Sequence, residues 1–271
     1  MNFGQSWSTA LTLFGCLLTF YIQTWEEHHT KTLYLGLVSG PVEGVLSLCV
    51  VFLVTAVKGG GHFWEQSVFR TLGIGREMLG WMPDEVYEMP WNKSFLVYGG
   101  IILGGSVTMS IHNVLQVRRA KSLSLLYPFL GLTPFLLNWL LAVLYLQLNP
   151  SILTHHHLLP LIFTLGLQNS LAVGLIITSH LTSSPFPHGL PLLLNAPLAA
   201  GVLASWYGVQ GTEDCAVASL WWLFGALVGI YAGFVADVVV SICDYLDIWC
   251  LSIKHPWVEE AEVVAAEKKG K

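Results

Sequence analysis

A few polar side chains stand inside or at the edges of long apolar runs, and any chemistry has to be sought there first. They are Glu43, His112, Asn113, Asn169, His180, Asp237 and Asp244. An ionisable group deep in hydrocarbon costs about 2.5–3.5 kcal/mol on insertion scales, so such residues are functional candidates by default. Glu43 lies deepest and has no cation near it in sequence. For His112 the competing reading is a bond to a neighbouring carbonyl, and for Asp237 a carboxylic acid that packs helices. His180 and Asp244 fall near span ends, where a solvated role competes. Adjacent Glu26 and Glu27 close a helix and are read as solvated. The run His155–His156–His157 resembles a metal tract but is read as a loop. No Walker loop, HExxH, GxSxG or clustered pair of metal-binding carboxylates occurs. Cys16, Cys49, Cys215, Cys243 and Cys250 form no CxxC pair and no zinc-ligand spacing, and read as reduced packing residues.

The elements that must position these groups follow from composition. Of 271 residues, 54% are hydrophobic and 11% charged, against roughly 25% charged in ordinary soluble domains. From Ser122 to Thr212 there is no Asp, Glu, Lys or Arg. Soluble surfaces need interspersed charge; a bilayer does not. The net charge of −5 comes with no basic stripe, which excludes nucleic acid as a partner.

Crossing about 30 Å of hydrocarbon takes roughly 20 mainly apolar residues in a helix. Seven segments qualify, near Trp7–Trp25, Leu33–Val57, Phe95–Val117, Leu125–Leu148, Leu158–Ser179, Leu190–Gln210 and Leu220–Leu246. Their continuity excludes the ten-residue alternation of a closed barrel. The expectation is an all-α membrane protein, a polytopic bundle of about seven transmembrane helices over residues 1–253, with 254–271 as a cytosolic tail. The N-terminus lacks a signal peptide's basic region and small-residue cleavage site, so its first apolar stretch reads as a retained span. The connection from Lys58 to Ser94 reads as a surface loop with one interfacial helix.

Lys58, Arg70, Arg76 and Lys93 fall on one side of this topology. Lys31, Arg118, Arg119, Lys121, Lys254, Lys268, Lys269 and Lys271 fall on the other, which puts the C-terminus in the cytosol. His112, Asn113, His180, Asp237 and Asp244 then lie toward cytosolic ends, with Asn169 nearer the middle. Helices in lipid associate where small residues permit close approach. Such ridges are Gly36–Gly40–Gly44, Gly100–Gly104–Thr108–His112, Gly166–Ser170–Gly174 and Gly225–Gly229–Gly233–Asp237. Packing through them would turn the polar groups into one shared cavity open to the cytosol.

Several strings in this order and spacing resemble the choline/ethanolamine phosphotransferases of the CDP-alcohol phosphotransferase family, in their fungal form. They are Thr24-Trp25-Glu26-Glu27-His28-His29-Thr30, Thr32-Leu33-Tyr34-Leu35, Gly40-Pro41-Val42-Glu43-Gly44, Asn149-Pro150-Ser151, Leu167-Gln168-Asn169, His180-Leu181-Thr182, Ser184-Pro185-Phe186-Pro187 and Cys250-Leu251-Ser252-Ile253-Lys254-His255. The resemblance covers nearly the whole chain. It implies an enzyme of the endoplasmic reticulum or Golgi that passes phosphocholine or phosphoethanolamine from CDP-choline or CDP-ethanolamine to diacylglycerol. It also implies a magnesium (or manganese) cofactor and homodimers of protomers with about ten helices. Under it, Glu43 is the candidate general base for the acceptor hydroxyl. His112, Asn113, Asn169, His180 and Asp237 are candidates for lining the substrate pocket.

The family's signature, DGxxAR followed by GxxxDxxxD, supplies the metal-binding aspartates and does not occur in this chain. Two metals bridging a diphosphate need several carboxylates at close range. The expectation is therefore a chain that lacks the catalytic segment and is inactive alone. A non-catalytic homologue that binds lipid or dimerises is the alternative, and a transporter a further one, opposed by an expected lack of broken half-helices. Lys268-Lys269-Gly270-Lys271 is similar to a di-lysine retrieval signal.

Overall fold

The computed structural model describes residues 1–32, 41–208 and 213–254, with the side chains of residues 41–43 and 213 outside that description. The helices are α1 (Trp7–Thr30), α2 (Pro41–Val57), α3 (Val68–Thr71), α4 (Asp84–Tyr87), α5 (Trp91–Ala120), α6 (Tyr127–Leu130), α7 (Thr133–Leu148), α8 (Ser151–Thr154), α9 (Leu159–Leu181), α10 (Gly189–Leu193), α11 (Ala196–Trp206) and α12 (Glu213–Leu246). No strand forms among the described residues beyond one isolated bridge between Ser67 and Pro90. The chain divides into two compact units, Met1–Gly225 and Ala226–Lys271.

The protein is an all-α membrane bundle. Five stretches among the described residues are long and apolar enough to cross a bilayer: Trp91–Ala120, Tyr127–Leu148, Leu159–Leu181, Gly189–Trp206 and Asp214–Leu246. The expected count of seven is not matched one for one. Helix α1 occupies the first expected span, but its last turns carry Glu26, Glu27, His28 and His29. The second expected span is described only from Pro41 onward.

Two of the spans are interrupted, against the expectation of unbroken helices. One breaks between α6 and α7, the other between α10 and α11. Proline is the cause, since it has no N–H and crowds the preceding turn. Pro134 and Pro197 open α7 and α11. The carbonyls near the first break are taken up by side chains. Tyr21 donates its hydroxyl to the Gly131 carbonyl at 2.6 Å, and Trp25 donates its indole N–H to the Pro128 carbonyl at 2.8 Å. Asn195, at the second break, donates to the Pro134 carbonyl at 3.1 Å. Carbonyls engaged in this way do not line an ion path, which is what a transporter's broken helices supply.

Within the first unit, α1 packs against α5 and α9, while α7 packs against α11 and α10. Tyr21, Ile22, Trp25, Tyr145, Ile152, Leu161, Ile176 and Leu198 fill the core. Lipid is as apolar as these side chains, so shape and hydrogen bonds decide the pairing. Tyr145, for instance, donates to the Ala216 carbonyl at 2.9 Å and ties α7 to the start of α12.

The small-residue ridges of α5 and α12 do not carry this packing, and Gly36 and Gly40 of another ridge lie outside the described residues. Gly100, Gly104, Thr108 and His112 are all exposed on α5, and Gly225, Gly229, Gly233 and Asp237 are exposed on α12. A Cβ added at Gly100, Gly104, Gly166 or Gly225 would meet nothing within 4 Å. The close approaches run instead through Gly15, where a Cβ would sit 3.4 Å from Leu103, and Gly201, where it would sit 3.2 Å from the Tyr145 ring.

The connection 58–94 also differs from a plain loop. It holds two 3-10 turns, Gly61–Glu65 and Arg76–Leu79, besides α3 and α4. Phe69 stacks on Tyr87, Arg76 lies over the Tyr87 ring, and Arg70 pairs with Glu88.

Candidate functional site

Helix α1 turns polar at its end, and the tertiary packing buries that end. Tyr21, Ile22, Trp25 and Glu26 recur at helical spacing on one face. The face continues past the apolar stretch into His28, which is 8% exposed. Glu26 is 3% exposed and accepts a 2.8 Å hydrogen bond from the Asn113 amide of α5. The solvated role expected for Glu26 is therefore incorrect; α5 closes over it. Lys31 ends the helix in the left-handed conformation, its N–H donating to the Glu27 carbonyl.

From α9, His180 approaches the same end. Its ring contacts the His28 ring at 6.2 Å, its Nε2 lies 3.9 Å from a Glu27 oxygen, and its Nδ1 lies 3.5 Å from the Lys31 amine. The segment after α9 lays Phe186 against both histidines, stacked on His29 with centroids 5.6 Å apart and edge-on to His28 at 5.2 Å. His188 and Tyr127 complete the wall, with Arg118 over the Tyr127 ring. Nε2 of both His29 and His188 is buried and without a partner among the described residues.

His28 and His29 lie beyond the apolar stretch that ends at Trp25. Burial, reinforced by the positive charge of Lys31 and by neighbouring imidazoles, lowers His28 to about 4. Burial, then His28 and Arg118, lowers His29 to about 3. Both rings are thus neutral at physiological pH and able to accept a proton. The arrangement sets the neutral His29 ring close enough to the cations Lys31 and Arg118 to feel their charge, with the held Glu26 carboxyl group on the same helix.

The candidate residues separate into several places. Asn113 and His180 both reach the end of α1, the first at Glu26 and the second at Glu27, His28 and Lys31. His112 is exposed and pairs with Gln116 on its own helix at 2.8 Å. Asn169 is buried in mid-bundle. Asp237 and Asp244 belong to the second unit and are exposed. The side chain of Glu43 lies outside the described residues, and only its place in the first turn of α2 is given. Sequence reasoning passed over Glu26, His28 and His29 as site residues. Their continuity with the Tyr21–Trp25 face was the available signal. Magnesium or manganese finds no fit here, because no three His, Cys, Asp or Glu side chains among the described residues are placed to hold a metal ion.

No family model matches the sequence. Individual relatives do. Choline/ethanolaminephosphotransferase 1 of Saccharomyces cerevisiae is 32% identical over 269 residues, covering 93% of this chain and 64% of that protein. A class-I CDP-alcohol phosphatidyltransferase family protein of Schizosaccharomyces pombe is 33% identical over 246 residues, 91% of this chain and 61% of its own. Choline/ethanolaminephosphotransferase 1 of Arabidopsis thaliana is 29% identical over 259 residues, 87% and 60% respectively. The chain thus spans 60–64% of the length of these relatives. Along that stretch its homologues are choline/ethanolaminephosphotransferases and class-I CDP-alcohol phosphatidyltransferase family proteins.

Proposed function

We propose that the chain serves phospholipid synthesis, in the transfer of phosphocholine or phosphoethanolamine from CDP-choline or CDP-ethanolamine to diacylglycerol. Its share of the reaction site is the polar cluster at the end of α1. The observation that carries this reading is the burial of both Glu26, held by Asn113, and the neutral His28 two residues further along α1. In such a transfer the diacylglycerol oxygen bonds to phosphorus, the bond from phosphorus to the CMP oxygen breaks, and the hydroxyl proton must go to a base. His28, unprotonated at physiological pH, is the candidate in this cluster; a ring lowered to about 4 is a weak base, so substrate phosphate beside it has to raise it toward the operating range. Glu43 is the candidate from sequence, and the two are separable by substitution. Lys31 and His180 would meet phosphate charge.

Magnesium or manganese would be held by carboxylates other than those described, so no step is assigned to the metal and the chain alone is inactive in this reading. The endoplasmic reticulum or Golgi, with a cytosolic C-terminus, is proposed from the Lys and Arg asymmetry and the Lys268-Lys269 pair. A second reading, a non-catalytic homologue that binds lipid or dimerises, is favoured by the open small-residue face of α5.

The test fuses the chain behind the DGxxAR–GxxxDxxxD stretch of the yeast relative and supplies CDP-choline, diacylglycerol and magnesium to membranes. Release of CMP with phosphatidylcholine, lost in His28→Ala or Glu43→Gln at equal expression, is expected. A folded fusion without transfer favours the second reading. Full transfer by both variants refutes the proposed base.

A further inference from the structure

Where the two interrupted spans face α9, the first unit holds a small, partly open pocket of about 10 Å³ with a mostly apolar lining, formed by Tyr21, Pro134, Asn138, Gln168, Asn169 and Ala172 among others. Asn138, Gln168 and Asn169 are 5%, 4% and 6% exposed, and the amide oxygen of each is buried with no donor among the described residues. Three orphaned acceptors in one place oppose the rule that buried polar groups find partners.

Gln168 cannot be turned over. Asn195 donates to the carbonyls of Pro134 at 3.1 Å and Pro191 at 3.4 Å, which fixes its oxygen as the acceptor for the Gln168 amine at 2.8 Å. Gln168 Oε1 is thereby committed to facing elsewhere. Tyr21 offers no donor, because its hydroxyl is spent on the Gly131 carbonyl. Asn138 and Asn169 can each present either a donor or an acceptor, according to which way the amide is turned.

We infer that this cavity binds one resident water molecule, which donates to Gln168 Oε1 and to one of Asn138 and Asn169 and accepts from the amide nitrogen of the other. The volume is at the threshold of about 10–15 Å³ that one water requires, and polar partners are present in the number a buried water uses. A monovalent cation satisfies carbonyl oxygens equally well in geometry. It is disfavoured because no carboxylate lines the cavity, and an uncompensated charge inside a membrane bundle is costly. The water joins α7 to α9 beside both helix breaks, at Asn169, a residue first considered for the substrate pocket.

The experiment uses the full chain in lipid nanodiscs. A high-resolution map should show a single peak at about 2.7–3.2 Å from Gln168 Oε1; an empty cavity overturns the inference. The melting midpoint should be indifferent to exchanging sodium, potassium and ammonium for one another, or for a large organic cation, at constant ionic strength. A saturable rise with any of them makes the occupant a cation and overturns it.

Discussion

Replacing Tyr21 by Phe removes one oxygen and leaves nearly everything else in place. The Tyr21 ring is 1% exposed and lies 5.0 Å from the Phe135 ring, and both contacts survive the change. What is lost is the 2.6 Å hydrogen bond to the Gly131 carbonyl, in the break between α6 and α7. Leaving a buried acceptor unsatisfied costs about 1–3 kcal/mol. At about 2–4 °C per kcal/mol for chains of comparable size, the melting midpoint should fall by about 2–12 °C. Thermal unfolding in one detergent, at one scan rate, measures it. Tyr245→Phe is the control, since Tyr245 is 89% exposed and should not move the midpoint. A Tyr21→Phe midpoint equal to or above wild type would refute the claim that α1 side chains stabilise the broken span.

Further outcomes follow from the same contacts. His28 and His29, lowered to about 4 and 3, bind protons more weakly folded than unfolded. Stability from them is complete above about pH 6.5 and declines as pH falls toward 4; melting midpoints across that window should drop, and less so in His29→Phe. Asn113→Leu removes a donor from the buried Glu26 and should cost about 1–3 kcal/mol, whereas Glu26→Gln keeps an acceptor oxygen and should melt near wild type. A Cβ at Gly131 would lie 2.9 Å from the Phe186 ring, so Gly131→Ala should destabilise and shift the ring that stacks on His29. Gly104→Ala meets nothing within 4 Å and should be neutral, or stabilise by up to about 1 kcal/mol in thermal unfolding.

Much of the fold was legible because long uncharged runs admit few alternatives to helices in lipid. Its interruptions were not read, although Pro134 and Pro197 stood in plain view. Hydropathy averages over a window, and an apolar proline leaves the average intact. The glycine ridges misled for a related reason. Spacing four shows that residues share a face, yet only the neighbours decide whether that face is covered, and α5 is covered near Gly15 of α1 instead. At the site, Asn113 and His180 were singled out, and both reach the end of α1. Glu26 and His28 were passed over because a helix end usually meets water. Their burial comes from α5, α9 and the Phe186 segment, contacts between residues 87 to 158 positions apart that no local pattern encodes.

The most direct measurement is the rate of CMP release by the yeast-stretch fusion in matched His28→Ala and His157→Ala forms, with expression and melting midpoint recorded for each. His157 is exposed in a loop and serves as the comparison. A base contributes about 10²–10⁴-fold, so the account predicts at least a hundredfold loss for His28→Ala and wild-type turnover for His157→Ala. Equal rates in the two folded variants would contradict it.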